Sequence, residues 1–329
     1  MKIIAELCQN HNGQFNILKE MVKSAVNAGA THIKIQHIIP EILNYRARHE
    51  EGLIINGQTK SIKRPFSNEY KRLSGLVLDD DQIREFISIC ENEGVKPLTT
   101  CFSRRDVKKI KDLGFNEIKV ASYDCSSYQL IRELSQNFSH LYISTGATYD
   151  DEVSYAASIL RNHAKSFSFL QCTTIYPTPL NLLNLSRMNF LKSLLKDKNE
   201  IGFSDHSSAL EHPNLASMLA IYHGAKIIER HFSILPKGDT KDGPVSINEK
   251  NLSELTNFSL LERKEQFAKI SDMGFSPNDF CESTYKNKGL SNEELLNRDY
   301  YKGRFTTVIS RDNNIPKRVI SNNEEIPIN

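Results

Sequence analysis

The sequence predicts an α/β protein of the closed (β/α)8 TIM-barrel class with a short C-terminal extension, and three observations carry that prediction. Eight short runs rich in β-branched residues alternate with amphipathic segments along most of the chain. No segment reads G-x-G-x-x-G, so an open dinucleotide-binding sheet loses its best signal. Polar side chains recur at the C-terminal ends of the expected strands, where the reactive groups of such a barrel sit.

The strands are expected at 2–7, 32–36, 96–100, 117–121, 140–145, 167–172, 200–204 and 225–232. Helical patterns cover 16–28, 80–93, 104–113, 126–137, 150–164, 180–197, 209–223 and 248–266. Asp80 precedes one helix and Gly94 follows it, while Gly29, Gly114 and Gly224 close three others, as start and stop signals should. Eight strands, each followed by a helix, is the count of a closed parallel barrel. That places a catalytic barrel at 1–268 and an extension without strong periodicity at 269–329. A long segment at 37–78 interrupts the rhythm after the second strand. It belongs over the C-terminal mouth, where long loops act as lids, unless it is merely a disordered insertion.

Bulk properties exclude several classes. A net charge of +2 over 329 residues gives no reason to expect nucleic acid or a membrane surface. Six cysteines without a C-x-x-C pair indicate neither a zinc ribbon nor a disulfide framework. There is no signal-like or membrane-spanning apolar run. The expectation is a cytoplasmic protein with reduced thiols.

Alternation along a strand assigns the lumen. In HIKIQ, Ile33 and Ile35 face the helices, so Lys34 and Gln36 face inward. In EIKVA, Lys119 faces inward, and in the first strand Glu6 does so with Ile4. Charges inside a barrel are costly unless paired or serving a ligand. A structural Lys–Glu pair filling the lumen is the competing reading; the position of all three near strand ends favours a ligand. Thr100, Ser144, Thr174 and Ser204 lie at or just beyond other strand ends. Lysines and hydroxyls together suit an anion such as a carboxylate-phosphate. His206 and His231 end adjacent strands, and two converging imidazoles suit a borderline divalent metal.

At these same residues the sequence resembles the sialic acid synthase family, which makes N-acetylneuraminate, legionaminate and pseudaminate. The matching segments are IIAELCQNHNG (3–13), GATHIKIQ (29–36), TTCFS (99–103), EIKVASYDCSSYQLI (117–131), ISTGA (143–147), CTTIYPTP (172–179), IGFSDHS (201–207) and IIERHF (227–232). The resemblance implies a nonulosonic acid synthase, a transferase of carbohydrate biosynthesis. It would join phosphoenolpyruvate to the aldehyde of an open-chain N-acyl amino sugar and release phosphate. It also implies a divalent metal, manganese or magnesium, on His206 and His231. Lys34, Thr100, Lys119, Ser122, Ser144, Thr174 and Ser204 would cradle phosphoenolpyruvate. Gln36, Asp124 and Tyr176 would face the sugar, and Glu6 would serve acid–base chemistry or orient water. Asp205 could orient an imidazole.

Departures from the family pattern gather at the sugar end. Tyr123 stands where the family has glycine, and Val245 follows Pro244 where the family has aspartate. Asp239 or Asp242 would have to replace that aspartate. No convincing antifreeze-like domain follows the barrel, so a homodimer completed by a partner's arginine is left open. Arg298 and Arg304 read better as surface arginines. Two other classes compete: a metal-dependent barrel hydrolase, and an inactive sugar-binding relative.

Overall fold

The computed structural model describes residues 1–195, 199–281, 289–312 and 315–324, with the backbone alone for 308–312 and 315–318. Its centre is a closed parallel barrel of β1 (Lys2–Cys8), β2 (His32–Gln36), β5 (Lys96–Thr100), β6 (Glu117–Val120), β7 (His140–Ser144), β8 (Phe167–Gln171), β9 (Gly202–Asp205) and β10 (Ile227–His231), with β10 pairing back onto β1. A short antiparallel hairpin, β3 (Leu53–Ile55) with β4 (Gln58–Ser61), lies in the insertion. The eight expected strands are therefore the eight barrel strands, each within about two residues of its expected ends.

Strand parity sorts the side chains as alternation requires. Ile33, Ile35, Ile118 and Val120 join the apolar shell between strands and helices. Ile4, Leu98, Tyr142, Leu170 and Ile227 form a separate apolar layer that plugs the lumen. Above that plug the lumen turns polar, and register brings distant residues level. Glu6 pairs across to His231 on one side and to Lys34 on the other, while Thr100 pairs with Lys119.

The surrounding helices are α1 (Phe15–Asn27), α3 (Asp80–Asn92), α4 (Val107–Leu113), α5 (Tyr128–Asn137), α6 (Asp150–His163), α7 (Arg187–Ser193), α8 (Leu215–Tyr222) and α9 (Glu249–Leu260), with α2 (Phe66–Ser74) in the insertion. Three differ from expectation. The helix expected over 180–197 is a 3-10 turn at Leu180–Leu182 followed by α7, because Asn184 adopts φ +53° and interrupts the helical path; its expected end at 196–197 lies outside the described residues. The helix expected from 209 begins only at Leu215, since Pro213 disfavours helical geometry in the residue before it. The helix expected over 248–266 breaks at the extended Leu261, and α10 (Arg263–Asp272) restarts behind a capping box at Glu262.

The insertion and the tail are one structural unit. Ile38, Ile39, Ile42, Leu43, Leu73 and Leu76 of the insertion cluster with Phe305 of the tail. Leu43 bridges to Phe305 in antiparallel fashion, and Arg46 donates to the carbonyls of Asp299 and Lys302 at 3.0 and 3.2 Å. The tail enters this unit through α11 (Asn292–Tyr301), capped by Ser291 Oγ accepting from the Glu294 amide, and continues as the hairpin β11 (Val308–Asp312) and β12 (Ile315–Ile320). The 37–78 segment is thus an ordered wall built over the mouth. Among the described residues no helix is long and apolar enough to cross a membrane.

Candidate active site

The C-terminal mouth of the barrel encloses a cavity of about 360 Å³, a size that suits a small ligand. Glu6, Lys34, Gln36, Thr100, Lys119, Ser122, Ser144, Tyr176, Ser204, His206, His231 and Asp242 line it, as the sequence led us to expect. A wider hollow of about 630 Å³ along the outer face of α9 contains none of these residues.

Two lysines form the floor. Lys119 Nζ donates to Ser144 Oγ at 2.7 Å and to the Val120 carbonyl at 2.8 Å. Lys34 Nζ donates to Thr100 Oγ1 at 3.2 Å, pairs with Glu6, and lies 3.6 Å from Glu229. Glu229 also lies 3.9 Å from Lys119 and accepts a 2.8 Å bond from Ser204 Oγ. The lumen therefore does contain the Lys–Glu pairing of the competing reading, in the same layer as the strand-end hydroxyls. Burial pushes the Lys34 ammonium down to about 8. For Glu229, burial works upward, but Lys119 and Lys34 outweigh it and hold the carboxyl below its ordinary range. Five cationic side chains (Lys34, Arg64, Lys119, Lys241, Arg304) face three carboxylates (Glu6, Glu229, Asp242) around the cavity, so the surplus favours an anionic ligand.

The two imidazoles meet as expected, with ring centroids 5.4 Å apart. His206 Nδ1 lies 3.0 Å from the Thr173 carbonyl oxygen, which requires a proton there and leaves Nε2 with its lone pair facing the cavity. His231 Nδ1 is buried without a hydrogen-bond partner. Burial pushes His206 down and His231 down to about 3, so both rings are neutral near pH 7. The Tyr176 ring stands over His206 at 4.3 Å.

Four expectations are corrected. Asp124 does not reach the cavity; it accepts from Ser127 Oγ at 2.8 Å and serves the local turn, with burial raising it to about 6. Thr174 is buried just outside the cavity lining, although its carbonyl receives the Asn297 amide at 2.7 Å. Asp239 is exposed on the outside of its loop, so Asp242 alone of that pair faces inward. Asp205 does not orient an imidazole. It points away from the lumen, pairs with fully buried Arg230 at 3.1 Å, and accepts from the Ser207 amide and Ser217 Oγ. Arg230 donates in turn to the Asp205 and Ser207 carbonyls, fastening the loop that carries His206.

The tail supplies residues that strand reasoning missed. Asn297, Tyr301 and Arg304 line the cavity, joined by Arg64 of the insertion and Lys241 of the last loop. Neither arginine of the tail is a free surface group. Arg304 is buried and pairs with Glu69, while Arg298 clamps Glu152 at 2.6 and 2.8 Å. Tyr123, the residue in place of a glycine, stacks on Tyr301 at 4.7 Å and docks α11 against the barrel. Cys8 also faces the cavity: it ends β1 with the parity of Glu6, the signal used for every other strand end.

Residues 21–264 match the NeuB family over most of the barrel. The chain belongs to the NeuB family. This NeuB chain is 28% identical to a pseudaminic acid synthase of Campylobacter jejuni over 304 residues, covering 92% of the chain and 83% of that protein. It is 27% identical to the N,N'-diacetyllegionaminic acid synthase of the same species, covering 77% and 73% respectively. An N-acetylneuraminic acid synthetase structure from Leptospira borgpetersenii superposes with TM-score 0.64 at 23% identity, covering 91% and 90% of the two chains, which establishes the shared fold.

Proposed function

We propose that this NeuB-family protein is a nonulosonic acid synthase that condenses phosphoenolpyruvate with an open-chain N-acyl amino sugar and releases phosphate. The single observation that supports this best is the pair of luminal lysines, each bound to a strand-end hydroxyl, at the base of a cation-rich cavity. The names of its relatives support the product class, a sugar acid of the sialic type.

Lys34 and Lys119 neutralise and orient phosphoenolpyruvate on the floor, with Ser122, Ser144, Thr100 and Ser204 supplying further polar contacts. Glu6 lies level with His231; Lys34 pairs with its Oε2, which leaves Oε1 to orient a water or exchange a proton. The sugar enters above, beneath Tyr176, with Gln36 and the Arg64–Tyr301–Arg304 rim around it. A divalent metal fits beside His206 and His231, because the Thr173 carbonyl fixes the His206 proton on Nδ1 and leaves a lone pair on Nε2, and the other ring carries an orphaned buried nitrogen. Bound there, it would polarise the sugar aldehyde as a Lewis acid.

Phosphate release from phosphoenolpyruvate tests the proposal, with N-acetylmannosamine and its 6-deoxy-diamino analogues as acceptors. Release is expected only when phosphoenolpyruvate, a divalent metal and an acceptor sugar are all present. Release without any sugar would point to a hydrolase and overturn the reading. Silence across the whole panel would favour an inactive sugar-binding relative.

A further inference from the structure

The mouth of the barrel holds a donor cluster that two histidines do not account for. Ligand atoms of Cys8, His231 and Asp242 all lie within 4.8 Å of one another. They come from distant parts of the chain: Cys8 from the last position of β1, Asp242 from the loop after β10. From this juxtaposition we infer that Cys8 and Asp242 join His231 as direct metal ligands, so that the centre contains a thiolate and a carboxylate. The inference rests on the metal reading above and specifies which of this chain's atoms bind.

Each donor is already held in place. Cys8 Sγ lies 2.8 Å from Asp242 Oδ2, with the thiol donating, and receives the Gln36 Nε2–H at 3.0 Å. Cys8 lines the cavity with φ +50°, at a register shift in the β1–β2 pairing. Asp242 is followed by Gly243, where any Cβ would sit 1.9 Å from the Lys237 carbonyl oxygen. The loop therefore folds tightly back on itself immediately after the carboxylate. His231 is 7% exposed, offers a ring nitrogen to the cluster, and leaves its Nδ1 buried without a hydrogen-bond partner. His206 stands next to the trio.

The chemistry balances simply. The bridging thiol proton leaves to solvent as the cation enters, and two anionic ligands then offset the dication's two charges. Sulfur, imidazole and carboxylate together suit zinc, cobalt or iron(II), whereas magnesium demands oxygen donors and keeps its waters. The alternative is that the Cys8–Asp242 hydrogen bond merely clamps the last loop to β1.

Cobalt(II) titration of the full chain distinguishes these. A near-ultraviolet sulfur-to-cobalt charge-transfer band is expected, absent in Cys8→Ala and retained in Cys90→Ala. Cobalt affinity should fall by more than about 100-fold in Cys8→Ala and in Asp242→Asn, beyond the ~10–100-fold typical of outer-shell partners. Thermal melts of the metal-free variants check that the barrel is intact; should Cys8→Ala fail to fold, the presence or absence of the band in the unmodified protein decides. Binding without the sulfur band overturns the inference and leaves a histidine centre standing. Failure to bind cobalt at all would overturn both this inference and the metal reading beneath it.

Discussion

Replacing Glu229 with Gln tests whether the lumen is a charge-matched receptor or a static plug. The substitution keeps the shape and the Ser204 contact but removes the only carboxylate within 4 Å of both floor lysines among the described residues, at 3.6 and 3.9 Å. At an effective dielectric near 20 each pair is worth about 4–5 kcal/mol before desolvation. Breaking buried pairs from one side typically costs ~3–5 kcal/mol, because the other charge remains buried. Glu229→Gln should therefore lose about 3–5 kcal/mol in urea unfolding without ligand. Phosphoenolpyruvate should restore much of that loss, and should stabilise the variant more than it stabilises the unmodified protein. The double variant Lys34→Met/Glu229→Gln should be less destabilised than the two single losses summed, by at least ~1 kcal/mol. Stability unchanged within about 0.5 kcal/mol, or strict additivity of the two losses, would refute the reasoning.

Other outcomes follow from the same structure. His206→Ala should abolish turnover while leaving circular dichroism and the melting curve near those of the unmodified protein; full activity would remove His206 from the mechanism. Tyr123→Ala and Tyr301→Ala should show a coupling of about 0.5–1.5 kcal/mol in a double-mutant cycle, the ordinary value of a stacked pair. Protease cutting within α11 should rise in both. His140 is buried against Ser166 and Ser168, and burial lowers it to about 4. Its pKa is lower folded than unfolded, so the unfolded state binds more protons and stability falls as pH drops from about 6.5 toward 4, by up to about 3 kcal/mol. His140→Gln should flatten that part of the stability–pH curve; an unchanged slope would show the acid sensitivity to lie elsewhere.

Most of the barrel was legible because strand alternation and helix punctuation are local signals, and the inward parity of Glu6, Lys34 and Lys119 followed from their apolar neighbours alone. Cys8 falls on the same sequence parity, but its partner Asp242 lies more than two hundred residues away, beyond the reach of any local signal. Asp124 and Asp205 look equally well placed in sequence. Which way they point is decided by partners distant in the chain or one turn away: Ser127 for the first, Arg230 and Ser217 for the second. The tail was opaque for a different reason. Its α11 has too little amphipathic period to stand out, and its position depends on Tyr123 and on an insertion more than two hundred residues upstream. The Ser291–Glu294 capping box was the one local cue present.

The clasp between the insertion and the tail makes the cavity a two-part object. The floor is drawn from strand ends that the barrel positions by itself. The roof exists only where Arg64 and Arg304 both meet Tyr301. A ribosome emits every floor residue before it reaches Tyr301 and Arg304, so the floor residues are all present in the nascent chain before the roof can be completed. On the synthase reading proposed above, substitutions at the roof would change which sugar is admitted while the lysine floor stays intact.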